Sequence, residues 1–138
     1  LNLLGQRETN LYGTLSLAEL NEQLVEHADT LGYHCHCVQS NSEGICIDTV
    51  HQSFKSGVKG LIVNAGAFTH TSIALRDALL ACSIPFVEVH LTQLAQREHF
   101  RHTSYLSDIS VGSIMGFGPL GYKLGIDALH HHLIHQET

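Results

Sequence analysis

The sequence predicts an α/β fold in which a parallel β-sheet carries helices on both faces. Apolar strand-like segments alternate along the 138-residue chain with segments of helical apolar spacing. Each connection between strands is long enough for a helical crossover, which is right-handed and makes neighbouring strands parallel. No internal repeat or linker interrupts this alternation, so we expect one domain over residues 1–138.

The first half of the chain predicts two helices around one strand. Ser16 and Glu19 have the spacing of a capping box, and a helix with apolar positions every three or four residues follows until Gly32. A strand is predicted over 33–39. After a polar loop, helical spacing returns and ends at Gly57; its apolar-face positions are Ile47, Val50, His51 and Phe54.

The second half predicts strands over 58–63, 85–91 and 111–117, and helices over 72–82 and from 120 to about 135. A polar segment around Arg97 and Arg101 separates the last two strands. The first five residues, LNLLG, resemble the end of a strand and its loop, so we expect a further strand upstream of residue 1.

Composition excludes several classes of partner. With a net charge of −6 and only 7 Lys and Arg, the chain lacks the clustered cations that bind nucleic acids or anionic membranes. It has no membrane-spanning apolar run and no signal-peptide pattern at residues 1–12, so we expect a soluble, cytoplasmic protein. An anionic ligand would be held by a few well-placed arginines.

Metal and cofactor motifs are weak. The 4 cysteines lack CxxC spacing and are interpreted as free thiols. The 12 histidines include His131 and His135 on one helical face, but no carboxylate or thiol accompanies them at a metal-site spacing. The glycines from 112 to 121 match neither a Rossmann fingerprint nor a P-loop, so we predict no metal, nucleotide or other cofactor.

Polar side chains follow the predicted strands where the strands end. The segment Asn64–Asp77, NAGAFTHTSIALRD, turns from an apolar strand into a helix and contains His70. His90 ends the next strand. Ligands of open parallel sheets bind at the carboxyl ends of the strands, so Asn64, His70 and His90 are predicted to converge on one site.

Two residue pairs in the sequence could carry acid–base chemistry. Glu88 and His90 are two apart on a strand and therefore share a face, which suits either acid–base catalysis or a purely structural hydrogen bond. Tyr12 lies five residues after Arg7. A phenol with an ordinary pKa of about 10 acts as a base at neutral pH only if a cation stabilises its phenolate; otherwise Tyr12 is a solvated loop residue.

These motifs jointly resemble the type II 3-dehydroquinate dehydratases, or type II dehydroquinases. Five segments match the family's signature blocks in order and spacing, and together they span most of the chain. They are LNLLGQRETNLYG at 1–13, QSNSEGICID at 39–48, NAGAFTHTSIALRD at 64–77, PFVEVHL at 85–91 and REHFRHTSYLSD at 97–108.

The resemblance implies a flavodoxin-like three-layer sandwich with a five-stranded parallel sheet, and a dodecamer built from trimers. It also implies that the chain dehydrates 3-dehydroquinate to 3-dehydroshikimate by anti elimination through an enolate, without a Schiff-base lysine. The same reaction serves aromatic amino acid biosynthesis by the shikimate pathway and quinate catabolism, and the residues leave both open.

The resemblance further implies a role for each matching residue. Tyr12 would be the base at C2, assisted by Arg7, and His90 the acid for the leaving hydroxyl, oriented by Glu88. Asn64 would anchor the leaving group and the water that stabilises the enolate. The remaining expected substrate contacts are Leu91 and Thr92 for the carboxylate, Arg101 and His70 for ring hydroxyls, and Asp77 in the neighbouring subunit's site.

Some positions depart from the family's pattern. Thr92 replaces the usual serine, residues 93–96 read QLAQ, and Thr9 replaces a proline of the expected lid. Two alternatives therefore stay open: a catalytically impaired paralogue or small-molecule binding module on the same fold, and a histidine-rich metal-binding protein.

Overall fold

A computed structural model describes residue 1 and residues 15–136. Within this part, seven regular elements follow one another along the chain. They are α1 (Leu17–Thr30), α2 (Glu43–Lys55), β1 (Leu61–Val63), α3 (Ile73–Cys82), β2 (Phe86–His90), β3 (Gly112–Met115) and α4 (Leu120–Gln136). Short 3-10 turns, including Gly66–His70 and His99–Arg101, occupy the connections.

The described strands form one parallel sheet in the order β1-β2-β3. One apolar cluster joins α1 and α4 to one face of β2, and a second joins α2 and α3 to the other. The predicted α/β class, with a parallel sheet and helices on both faces, is therefore confirmed.

Strand β2 separates the two faces by simple alternation. Val87 and Val89 belong to the α1–α4 cluster, whereas Phe86 belongs to the α2–α3 cluster. Because successive side chains on a strand point to opposite faces, Glu88 and His90 lie on the face of Phe86. The strand thus places a carboxylate and an imidazole beside an otherwise apolar layer.

The expected five-stranded sheet is wrong for the described residues, which contain three strands. The predicted strand over 33–39 is not formed. Its burial still alternates, with Tyr33, Cys35 and Cys37 half-buried against the α1–α4 cluster and His34 and His36 exposed. A strand also requires a hydrogen-bonded neighbour, and no described strand pairs with this segment.

The helices follow local signals that the sequence carries. Ser16, Ser42 and Ser72 cap α1, α2 and α3, each accepting a hydrogen bond from a backbone N–H three residues later. At Gly125 of α4, an added Cβ would lie 3.2 Å from Cγ2 of Val89, so the missing side chain lets α4 approach β2 closely. No helix in residues 15–136 is long and apolar enough to cross a membrane.

Candidate active site

The site lies at the carboxyl edge of the sheet, where β1 and β2 end side by side. Val63 pairs with Glu88 in the parallel register, Asn64 follows β1 directly, and His90 is the last residue of β2. Glu88 is 0% exposed and His90 is 4% exposed. The structure therefore brings Asn64, Glu88 and His90 to the same edge, as the sequence predicts.

Both ends of the Asn64 amide are held. Its Nδ2 donates to the hydroxyl of Tyr122 on α4 at 2.7 Å, and its Oδ1 accepts from the backbone N–H of Gly66 at 3.1 Å. Burial raises the pKa of Tyr122 to about 12 although the hydrogen bond from Asn64 lowers it. Tyr122 therefore stays neutral at physiological pH and serves as an acceptor for the amide.

Glu88 and His90 form a buried pair. The His90 Nε2 atom lies 2.7 Å from Oε2 of Glu88. This is the contact that the alternation of β2 predicts, and the sequence alone left both a catalytic and a structural interpretation open. Because Nε2 faces the carboxylate, Nδ1 is the ring nitrogen that remains for another partner.

Three hydroxyls surround the same carboxylate; we call Ser104, Ser107 and Ser113 the serine cluster. Ser104 donates to Oε2 of Glu88 at 2.7 Å, while Ser107 and Ser113 both donate to Oε1, the latter at 2.9 Å. Burial alone would raise the pKa of Glu88, but the hydrogen bonds from His90 and the serine cluster lower it to about 2. The carboxylate is therefore ionised at every physiological pH.

The loop that carries two of these serines is fixed to α3. Both guanidinium Nη atoms of Arg76 donate to the carboxylate of Asp108, at 2.5 and 3.0 Å, and Nη1 also donates to the carbonyl of Tyr105. The backbone N–H of Tyr105 donates to the carbonyl of Thr69. These contacts hold residues 104–108 against Glu88.

His70 lies beside His90 at the end of the Gly66–His70 turn. The two imidazole rings stack with centroids 6.5 Å apart. The Nδ1 of His70 donates to the carbonyl of Thr103 at 2.7 Å, which leaves Nε2 as its second polar atom. The structure thus places His70 next to His90, on the connection that follows Asn64.

The segment after β2 contains two half-buried candidates, Leu91 and Thr92. The carbonyl of Leu91 accepts from the N–H of Gly118, and the Thr92 hydroxyl accepts from Nη1 of Arg97 at 2.9 Å. Because that hydroxyl is used as an acceptor, its hydrogen remains to be donated to a ligand.

Arg101 contacts two residues close to it in the chain, Glu98 and Phe100. Its Nε donates to Oε2 of Glu98 at 2.6 Å, and its guanidinium lies 5.1 Å from the ring centre of Phe100. The 3-10 turn containing Arg101 packs against the turn that ends at His70.

Asp77 lies on an exposed face of α3. It is exposed, as are Ile73 and Leu80, which lie one turn before and after it on the same helical face. Arg7 and Tyr12, the expected base and its cation, lie outside the described residues.

Sequence reasoning missed five residues of this site, namely Tyr122, Arg97 and the serine cluster. Two of the serines were present in a matched block, as Ser104-Tyr-Leu-Ser107, but a serine on a loop carries no signal for a buried carboxylate 16 or 19 positions away. Tyr122 lies in the predicted closing helix, and no pattern in that segment indicates that its hydroxyl contacts Asn64, 58 positions earlier.

Residues 15–136 contain no group of three or more histidine, cysteine, aspartate or glutamate side chains arranged to hold a metal ion. The exposed His131 and His135 rings do lie close together on α4, tilted by 33° with centroids 4.1 Å apart. The polar groups at the carboxyl edge are instead arranged as hydrogen-bond donors and acceptors around a single acid–base pair.

Known proteins share both the sequence and this architecture. The family model described as Dehydroquinase class II matches residues 1–130. A curated 3-dehydroquinate dehydratase of Gloeothece citriformis is 53% identical over 133 residues, covering 96% of this chain and 87% of that protein. One of Legionella pneumophila is 53% identical over 129 residues, covering 94% and 89%.

A solved type II dehydroquinase from Butyrivibrio crossotus superposes with a TM-score of 0.90 at 40% sequence identity, covering 94% of this chain and 90% of that one. A crystal structure of the type II enzyme from Propionibacterium acnes gives a TM-score of 0.88 at 35% identity. Sequence and fold agree, and the chain belongs to the class II dehydroquinase family.

Proposed function

We propose that this protein is a hydro-lyase that dehydrates 3-dehydroquinate to 3-dehydroshikimate. The observation that carries the proposal is the buried Glu88–His90 pair beside the anchored Asn64 amide at the carboxyl edge of the sheet. In the reaction a proton leaves C2, the C1–O bond breaks, and a C1=C2 double bond forms with release of water. This elimination needs a base, an acid and a group that stabilises the intermediate enolate.

His90 is the acid in this proposal. An ionised Glu88 holds one ring nitrogen, so the other can deliver a proton to the departing C1 hydroxyl. The low exposure of both residues keeps bulk water from competing for that proton. A positioned proton donor of this kind typically contributes about 10²- to 10⁴-fold to the rate.

Tyr12 is the proposed base and Arg7 its activating cation. Both rest on the family match, because they lie outside the described residues. A phenolate beside a guanidinium would take the C2 proton, and the same guanidinium would stabilise negative charge as it develops. Closure of the segment that carries them over the site would exclude water during the elimination.

Asn64 is proposed to stabilise the enolate through a bound water and to anchor the leaving hydroxyl. Its amide is preorganised by Tyr122 and Gly66, which is what such a role requires, because a fixed dipole costs no reorganisation during the reaction.

The remaining contacts would orient the substrate ring. The hydroxyl of Thr92, with its free hydrogen, and the backbone of Leu91 and Thr92 suit the substrate carboxylate. His70 offers Nε2 to a ring hydroxyl. Arg101 takes a second ring hydroxyl in this scheme, using guanidinium nitrogens other than the Nε that binds Glu98.

We further propose a homo-oligomer, a dodecamer built from trimers, in which Asp77 reaches the site of a neighbouring subunit. Asp77 is exposed on α3 and is flanked by the exposed apolar side chains of Ile73 and Leu80. An acid between two exposed apolar residues on one helical face suits a contact with a second copy of the chain. Sedimentation velocity of the purified protein measures this directly.

The dehydration is tested by following the absorbance of the conjugated enone after adding 3-dehydroquinate. We expect turnover by the wild type and none by Tyr12→Phe or His90→Asn, with substrate binding retained in calorimetry. Tyr105→Phe and His51→Asn alter exposed side chains of the same types and are the matched controls. A folded, oligomeric wild type that produces no enone would refute the proposal.

A further inference from the structure

The serine cluster gives the fully buried Glu88 carboxylate three of its four hydrogen-bond donors. We propose that Ser104, Ser107 and Ser113 are positioning residues for His90: they hold Glu88 as an acceptor-only carboxylate and thereby fix which ring nitrogen of His90 can give up a proton. This proposal rests on the proposed function, in which His90 is the acid that protonates the leaving hydroxyl.

The donors are divided evenly between the two carboxylate oxygens. Oε1 accepts from Ser107 and Ser113, and Oε2 accepts from Ser104 and lies 2.7 Å from His90 Nε2. A carboxylate with 0% exposure would bind a proton and become neutral if these donors were missing, because burial penalises its charge.

No lysine or arginine among the described residues pairs with Glu88. In residues 15–136, His90 is the only basic side chain that pairs with Glu88. The neighbouring His70 directs its Nδ1 to the carbonyl of Thr103, and the nearby Arg76 and Asp108 pair with each other. The ionised state of Glu88 therefore depends on His90 and on the hydroxyl groups of the serine cluster rather than on a lysine or arginine.

The state of Glu88 decides the chemistry of His90. An ionised carboxylate only accepts, so Nε2 carries a hydrogen, and loss of a second proton from Nδ1 leaves a stable neutral imidazole. A neutral Glu88 would instead donate to Nε2. His90 would then carry its single hydrogen on Nδ1, and giving it up would produce an unfavourable imidazolate unless Glu88 transferred its own proton.

The double variant Ser107→Ala/Ser113→Ala removes both donors to Oε1. Ser104 is left in place because its hydroxyl also accepts from the backbone N–H groups of Leu106 and Ser107 and thus shapes the loop. The variant Ser107→Thr/Ser113→Thr keeps both hydroxyls. Ser53→Ala on α2, whose hydroxyl donates to the carbonyl of Thr49, controls for loss of a serine elsewhere.

We expect the double alanine variant to lose about tenfold to a hundredfold in kcat, the range typical of groups that orient a reacting side chain, with KM changed less than about threefold. Its activity should also fall at higher pH than that of the wild type on the acidic side, because Glu88 protonates sooner. The threonine variant and Ser53→Ala should behave like the wild type.

Infrared spectroscopy gives a readout that does not depend on activity. Difference spectra against Glu88→Gln isolate the Glu88 band, which should remain that of a carboxylate at pH 5 in the wild type and become partly that of a protonated acid in the double alanine variant. Should that variant not fold, Ser113→Ala alone repeats the comparison, since Ser113 is exposed and makes one side-chain hydrogen bond in the described chain.

The inference is overturned if the double alanine variant keeps the wild-type kcat and acidic limb, or if the threonine variant is impaired as strongly as the alanine variant. Absence of dehydration by the wild type would instead refute the proposed function. The infrared comparison would then still decide whether the serine cluster controls the charge of Glu88.

Discussion

Replacing Glu88 by glutamine tests how much the buried carboxylate contributes to folding. The substitution keeps the size of the side chain but replaces one acceptor oxygen by an amide that donates. At least one hydrogen bond from Ser104, Ser107, Ser113 or His90 must then be lost or reversed. Leaving a buried polar group unpaired costs about 1–3 kcal/mol, and more for a charged group.

The pH dependence of stability gives a second, more specific value for the contribution of Glu88 to the folding free energy. A fall in the pKa of Glu88 from 4.5 to about 2 corresponds to about 3 kcal/mol of folding free energy. Because the folded-state pKa is the lower one, this stabilisation is complete above about pH 5.5. It declines as the pH falls through the unfolded value toward the folded one, and about 2 kcal/mol of it is gone at pH 3.

Urea denaturation at pH 7, 5, 4 and 3 measures the effect in the wild type and in Glu88→Gln. We expect the wild type to be more stable by about 3 kcal/mol at pH 7 and by only about 1 kcal/mol at pH 3. Glu22→Gln, which removes an exposed carboxylate of α1, controls for the change in net charge. A stability difference that stays constant over this pH range would refute the assignment of an ionised, hydrogen-bonded Glu88.

Three further substitutions test the surrounding site and scaffold. Tyr122→Phe removes the acceptor of Asn64 Nδ2, and we expect steady-state kinetics to show kcat lowered about tenfold at a similar KM; an unchanged kcat contradicts the anchoring role. Thr92→Val should raise KM about tenfold whereas Thr92→Ser should not, because only the hydroxyl is needed for the substrate carboxylate. Gly125→Val should lower the free energy of unfolding in urea by about 1–3 kcal/mol, since a Cβ there lies 3.2 Å from Val89, and a fully stable variant would show that α4 can move away.

The helices were predictable because their signals are local. A serine before each of α1, α2 and α3 and apolar positions at helical spacing are contained within each segment. The residues 33–39 show the limit of such reasoning. Their alternating burial matches the prediction, but a strand is defined by its partner, and pairing depends on residues far away in the chain.

The candidate site likewise contains one contact that local sequence predicts and several that it does not. Glu88 and His90 were predictable as a pair because two positions on one strand share a face. The donors to Glu88 come from positions 16, 19 and 25 residues further along, and the acceptor of Asn64 comes from 58 residues away. No local pattern encodes those contacts; they become visible only when the loop before β3 and the helix α4 are placed in space.

Residues 92–96, which depart from the family's pattern, bear on the choice between an active enzyme and an impaired paralogue or binding module. That alternative would gain weight if the segment 92–96 misplaced the pocket for the substrate carboxylate. The structure instead holds the start of the segment 92–96 firmly in place. The carbonyls of His90 and Leu91 accept from Gly116 and Gly118, and Arg97 fixes the Thr92 hydroxyl.

Gly116 contributes to the same anchoring. Its φ is 93°, a conformation that favours glycine. A Cβ at this position would lie 3.2 Å from the Cβ of Gln93, so the loop after β3 packs directly on residues 92–96. Because the hydroxyl of Thr92 is retained and oriented, we expect turnover rather than binding alone. Calorimetry that detects 3-dehydroquinate binding to a protein that makes no enone would favour the impaired paralogue. Recovery of activity in Thr92→Ser would then locate the defect in the carboxylate pocket.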